Sequence, residues 1–216
     1  MRTGEGMKDV ADEVKAIHRA VARRRPTEYS DEEVAVLLRR SYPAEIADVW
    51  DALTNPDRVK RWFLPVSGDL RVGGSFQTEG NAGGEILACD APRLLRVSWG
   101  GPTSVVELRL SEGDDRTTST TVELEHSVPV EIAGSGAGAL FVGPGWDLTL
   151  LGLGHHFADP ADDLSGWDGT PEGLRFSAQS IDAWTAAVES SGTATAEELA
   201  GGVAMARAQF TPDPGA

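Results

Sequence analysis

The sequence predicts an α+β domain in which a curved antiparallel sheet wraps a long helix. Three observations carry the prediction. Residues 34–42 read as a strand and are followed almost at once by two short helices. From Val66 to Val128, short apolar runs are punctuated by "EGNAGG", "CDAP", "WGGP" and "SEGDD", and tight turns can join antiparallel neighbours but not parallel ones. Beyond a glycine-rich stretch, Trp146, Leu150, Leu153 and Phe157 share one face of a helix that such a sheet can cover.

Each element follows from local spacing. Residues 7–25 place Met7, Val10, Val14, Ile17 and Val21 at alternating intervals of three and four among charged residues. This predicts an amphipathic helix whose narrow seam packs on the chain's own domain or joins a homodimer. Val34, Val36, Leu38, Arg40 and Tyr42 alternate with Ala35, Leu37, Arg39 and Ser41 as the first strand. In "PAEIADVWDAL", Ile46, Val49, Trp50 and Leu53 share a helical face. Thr54 or Asn55 then caps a second short helix, Pro56 suits its first turn because no donor is needed there, and Val59, Trp62 and Phe63 repeat the apolar spacing.

About six strands follow. Phe76 with Thr78, Leu95 with Val97 and Trp99, Val106 with Leu108 and Leu110, and Val122 with Leu124 and His126 fall on single faces; Glu107, Arg109, Glu123 and Glu125 fall opposite. "AGSGAGALFVGPG" reads as a flexible connection, "WDLTLLGLGHHF" as the third helix, and "ADPADDLSGWDGTPEG" as an acidic loop. Two more helical segments and an unordered Pro-Gly tail complete the chain. The expected division is an N-terminal amphipathic helix extension at 1–33, the α+β domain at 34–158, and an acidic loop with a C-terminal helical extension at 159–216.

The formal charge of -15 repels phosphate backbones and anionic membranes, so neither nucleic acid nor a lipid surface is an expected partner. "RRR" at 23–25 suits a helix C-terminus. No run approaches the roughly 20 apolar residues that cross a bilayer, and the first residues are polar where a signal peptide would be apolar. A single cysteine, Cys89, cannot form an internal disulfide. Both features agree with a cytoplasmic protein.

Catalytic chemistry is hard to assemble from these residues. Cys89 stands alone and no serine carries a nucleophile elbow. His155, His156 and Asp159 could share a metal ion, but an exposed helix C-terminus also accounts for the histidines, and no metal or cofactor is expected. "GSGAG" lacks the Lys and Ser or Thr of a phosphate loop. His126 continues an apolar strand face and either orients a ligand, acts as acid or base, or is satisfied by a backbone carbonyl. Arg40 shares a face with Leu38 and Tyr42, where it either reaches a ligand oxygen or pairs with a structural acid.

The runs "VWDALTNPDRVKRWFLPVSGDLRVGGSF" and "GEILACDAPRLLRVSW", the strand ending "VELEH" and the later "GPGWD" resemble the START-like, SRPBCC superfamily. The resemblance spans residues 34–158. It is similar more narrowly to the branch homologous to the C-terminal domain of the activator of the 90-kDa heat-shock protein's ATPase. What the resemblance implies is a helix-grip fold with a mostly apolar cavity between sheet and helix. Its walls would come from Phe76, Trp99, Leu108, Leu124, Trp146, Leu150 and Leu153, and Arg40 or His126 would orient a ligand. Trp62 and Phe63 would close its mouth, or else pack beneath the sheet. The implied function is binding a small hydrophobic or amphipathic molecule. Alternatives are a polyketide cyclase or aromatase using His126 and Arg40, and a chaperone-activating interaction module.

Overall fold

The computed structural model describes residues 9–24, 32–113, 118–159, 164 and 166–212. Asp9 caps helix α1 (Val10–Lys15) by accepting from the Ala11 amide at 3.1 Å. The chain then turns into strand β1 (His18–Arg24), which pairs antiparallel with β2 (Glu33–Tyr42) in the register Val21 opposite Val36.

The helix expected over 7–25 is therefore corrected to one and a half turns followed by a strand; Met7 and Arg25 lie outside the described residues. Two forces decide this. An open β2 edge offers a full row of backbone partners, and the extended backbone sends Arg19 to a buried carboxylate on a later helix. The Ile17–Val21 spacing of four fits either conformation, so sequence periodicity alone could not separate them. Val10, Val14 and Ile17 are buried in the main core, with α1 packed against a C-terminal helix of the same chain. The seam therefore serves the chain's own domain.

Helix α2 (Ile46–Thr54) buries Val49 and Ala52. Asn55 then caps α3 (Pro56–Val59), its side chain accepting from the Asp57 amide at 3.0 Å. This helix is one turn long, and Trp62 and Phe63 follow it in turns bonded back to Val59 O. Six strands come next, as expected: β3 (Val66–Gly68), β4 (Ser75–Thr78), β5 (Gly83–Asp90), β6 (Leu94–Ser98), β7 (Val105–Glu112) and β8 (Thr120–Pro129). Among the described residues the sheet has eight strands in the order β1-β2-β8-β7-β6-β5-β4-β3, antiparallel throughout. Its pairing builds inward-facing rungs. Leu38, Leu124, Leu108, Leu95 and Cys89 form one rung; Val36, His126, Val106, Val97 and Ile86 form the next.

The sheet leads through α4 (Val130–Ala133) and a 3-10 turn (Gly136–Gly138) into α5 (Ala139–Ala158). The expected flexible connection is corrected here: α5 starts seven residues before Trp146 and carries Pro144 inside it. The glycines of this stretch are a packing surface. A Cβ on Gly143 would stand 2.4 Å from Trp184 Cε2, so only glycine admits that ring. Beyond a 3-10 turn (Trp167–Gly169), α6 (Pro171–Ser191) and α7 (Ala196–Phe210) pack on the outer side of α5. α5 is thus apolar nearly all round because it has protein on both sides. The Pro-Gly tail from residue 213, and residues 160–163 of the acidic loop, lie outside the described residues.

Gly143→Ala tests that packing. Alanine favours a helix by about 1 kcal/mol, whereas overpacking a core costs about 1–3 kcal/mol. Trp184 is fully buried and hydrogen-bonded, so it cannot swing away. The expected net result is a lower denaturation midpoint; an unchanged or raised midpoint would show that α6 yields.

Candidate functional site

Between the sheet and α5 lies a cavity of about 570 Å³. Leu95, Leu108 and Leu124 line its floor with Val97 and Val106, and Trp146, Thr149 and Leu150 descend from α5. Phe76 and Trp99 close one end, their ring centroids 5.8 Å apart. Trp50, Leu53 and Val59 of α2 and α3 close the other. Leu70 and Val72 also line the space while 43% and 52% exposed, which puts its opening beside the β3–β4 connection.

Trp62 and Phe63 are half-buried at this border, with centroids 5.8 Å apart. Trp62 Nε1 donates to Ala52 O at 3.0 Å, which fixes the indole to α2. Both rings face not only this cavity but a second, more open one of about 840 Å³. Trp99 and Trp146, 5.2 Å apart, complete the shared wall. The outer space is bounded by Phe141 and Ile132, and also by Trp167 and Phe210 from the C-terminal segments.

The structure brings together eight of the expected wall and mouth residues: Trp62, Phe63, Phe76, Trp99, Leu108, Leu124, Trp146 and Leu150. Leu153 is not among them. One turn farther along α5, it is fully buried with Tyr42, Val49, Ala52, Leu110 and Val122 in a second core. Arg40 lines neither cavity either. Its Nη2 donates to Glu13 of α1, both side chains are under a tenth exposed, and its guanidinium lies 5.5 Å from the Tyr42 ring centre. Glu13 could not be identified as its partner from sequence, because the pairing depends on how α1 docks. Ile86 and Cys89, both on the cavity, were missed for another reason: a register shift between Ile86 and Ala88 re-aims the strand, and alternation cannot foresee a bulge.

His126 faces the outer cavity and is 5% exposed. Trp146 Nε1 lies 3.1 Å from its Nδ1, and Ser104 Oγ lies 2.9 Å from its Nε2. An indole N–H only donates, so Nδ1 must accept and the ring proton sits on Nε2. Burial lowers the imidazole pKa to about 4, which keeps the ring neutral. With one nitrogen accepting from Trp146 and the other donating to Ser104, His126 has no lone pair left to serve as a base. The same polarity prevents it from activating Ser104 as a nucleophile.

A second polar cluster sits on the far side of α5. The Asp147 carboxylate is fully buried and accepts from Arg19 Nε at 2.8 Å, from Trp184 Nε1 at 3.1 Å and from Ser180 Oγ. Burial pushes its pKa up to about 6, against the pull of Arg19 and then Ser180. Asp147 thereby ties β1 and α6 to α5. His156, expected at an exposed helix end, is buried instead: its Nε2 lies 3.3 Å from Arg58 Nη2 and its ring stacks edge-on against Phe157. Burial first, and then Arg58, lowers its pKa. Among the described residues no cluster of metal-ligating side chains forms, and no helix is long and apolar enough to cross a membrane.

Comparison with known proteins completes the picture. The family model described as Activator of Hsp90 ATPase homolog 1-like protein matches residues 43–158. The crystal structure of CalU16 from Micromonospora echinospora is 39% identical, with 81% of this chain and 99% of that chain covered and a TM-score of 0.64. Its solution structure gives 36% identity, coverage of 88% and 100%, and a TM-score of 0.66. DynU16, from the dynemicin biosynthetic locus, is 25% identical, with coverage of 58% and 48% and a TM-score of 0.51. No curated protein matches.

Proposed function

Because the chain belongs to the Activator of Hsp90 ATPase homolog 1-like family of the SRPBCC superfamily and has its helix-grip fold, we propose that it binds a small hydrophobic or amphipathic molecule between sheet and α5. The observation that carries this reading is the unfilled space of about 570 Å³ with a wall of Leu, Val, Phe and Trp. That volume lies in the range of sites for small organic ligands, which are mostly apolar with few polar groups. Transfer of apolar surface out of water supplies roughly 25 cal/mol per Å². The half-buried Trp62 and Phe63 would then gain stability as a ligand covers them. The biosynthetic setting of DynU16 supports a natural-product-sized ligand.

The cyclase reading needs Arg40 and His126 to converge on one substrate. Arg40 is occupied by Glu13 away from both cavities, and His126 offers no free lone pair, so the geometry favours binding.

The test is titration with N-phenyl-1-naphthylamine, an apolar dye that fluoresces when removed from water. Micromolar binding is expected. Leu108→Trp, which fills the floor, is expected to weaken it more than tenfold while the protein still melts cooperatively. A folded Leu108→Trp variant that binds as tightly as the parent would move the site elsewhere, and no dye binding by the parent would remove the proposal. Native mass spectrometry of freshly purified protein would supply the mass of a retained ligand.

A further inference from the structure

Resting on that binding reading, the geometry points to a ligand of a particular class: an apolar body seated in the inner cavity, carrying a neutral carbonyl that extends into the outer cavity and accepts a hydrogen bond from Ser104 Oγ. The polarity of the Trp146–His126–Ser104 chain dictates this. Trp146 forces Nδ1 of His126 to accept, His126 therefore gives its Nε2 proton to Ser104 Oγ, and the Ser104 hydroxyl proton is left pointing away from the imidazole. Among the described residues no acceptor takes that proton. Ser104 is half-buried and lines the outer cavity, so the proton is offered to whatever lies there. The depressed basicity of the buried imidazole keeps this polarity unchanged at neutral pH.

Two other hydroxyls on the cavity walls are already committed. Thr149, which borders both cavities, donates to Gly145 O at 2.9 Å, and Thr78 donates to Ala82 O at 2.5 Å. Charge then selects among acceptors. Among the described residues no Lys or Arg lines the outer cavity, Asp168 does, and the whole chain carries a formal charge of -15. A carboxylate or phosphate would have no counter-charge there, whereas a ketone, ester, amide or quinone oxygen needs none. Trp62, Phe63, Trp99 and Trp146 line both cavities, so the two spaces are adjacent, and a ligand of this class must pass between these rings. The four rings offer flat faces to an extended or aromatic body.

Prodan, a naphthalene carrying a ketone, and its analogue with the ketone replaced by methylene separate the parts of this claim. Fluorescence titration is expected to show both binding, with prodan favoured by about five- to tenfold, the contribution of one neutral hydrogen bond. Bound prodan is also expected to emit to the red of its value in an aprotic solvent of similar polarity. In Ser104→Ala the ratio of the two affinities is expected to fall to near one, and in Ser104→Thr, which keeps a hydroxyl, to stay near the parent value. Equal affinities in the parent, or a ratio unmoved by Ser104→Ala, would overturn the carbonyl assignment while leaving the cavity intact. Binding of neither probe would overturn the cavity reading and this assignment with it.

Discussion

Asp147→Ala is expected to lower the free energy of unfolding by about 3–5 kcal/mol, the range seen when one member of a buried ion pair is removed. Arg19, with 6% of its side chain exposed, would keep its charge in the interior with no counter-charge. Its Nη1 would keep the Val14 and Ile17 carbonyls, but its Nη2 is already without an acceptor and no other carboxylate bonds to the guanidinium among the described residues. Ser180 and Trp184 would lose their acceptor at the same time. Stabilities of single domains are about 5–15 kcal/mol, so the loss would be visible as a large fall in the urea midpoint. The double change Arg19→Met with Asp147→Leu separates charge from packing: it is expected to regain most of the loss, because neither charge remains to be solvated. A single variant within about 1 kcal/mol of the parent would show that the cluster does not hold β1 and α6 to α5.

The second large effect is a dependence on pH. Folding lowers the His126 pKa from 6.5 to about 4. Between those values the unfolded chain binds a proton at this position and the native chain does not, so stability rises with pH. The contribution is present in full above about 6.5 and is lost as the pH falls to about 4, amounting to about 3 kcal/mol. Asp147 acts in the opposite sense. Its native pKa of about 6 lies above the ordinary carboxyl value, so from about 6 down to about 4 the native chain holds the extra proton and gains stability. The measurement is therefore a difference. His126→Gln keeps an acceptor for Trp146 and a donor for Ser104 without titrating, and its unfolding free energy is expected to vary with pH by about 3 kcal/mol less steeply between pH 7 and 4. Parallel curves for parent and variant would mean that His126 takes up its proton in the native chain as readily as in the unfolded one.

Much of the architecture was legible because it depends on short-range rules. Alternation assigned Val122, Leu124 and His126 to one inner face and Glu123 and Glu125 to the other, and β8 follows that alternation. Thr54 or Asn55, with Pro56 after them, marked a helix start because capping is a local hydrogen bond, and the structure makes Asn55 the cap. Eight of the expected wall and mouth residues line the inner cavity because strand parity, helix spacing and the resemblance selected the same surface. Arg40 and Leu153 shared those faces but lie beyond the cavity's end, and parity carries no information about distance along a rung.

The amino-acid sequence by itself determined which residues turn inward and where most strands and helices begin, since those choices are made among neighbours a few positions apart. The tertiary structure alone decided that 18–24 is a strand, that Glu13 answers Arg40, that Asp147 gathers Arg19, Ser180 and Trp184, and that His126 stands between Trp146 and Ser104. Each of these joins groups far apart in the chain, and the free energy that selects them comes from burying charge and hydrogen-bonding groups together, which exists only once the elements have packed.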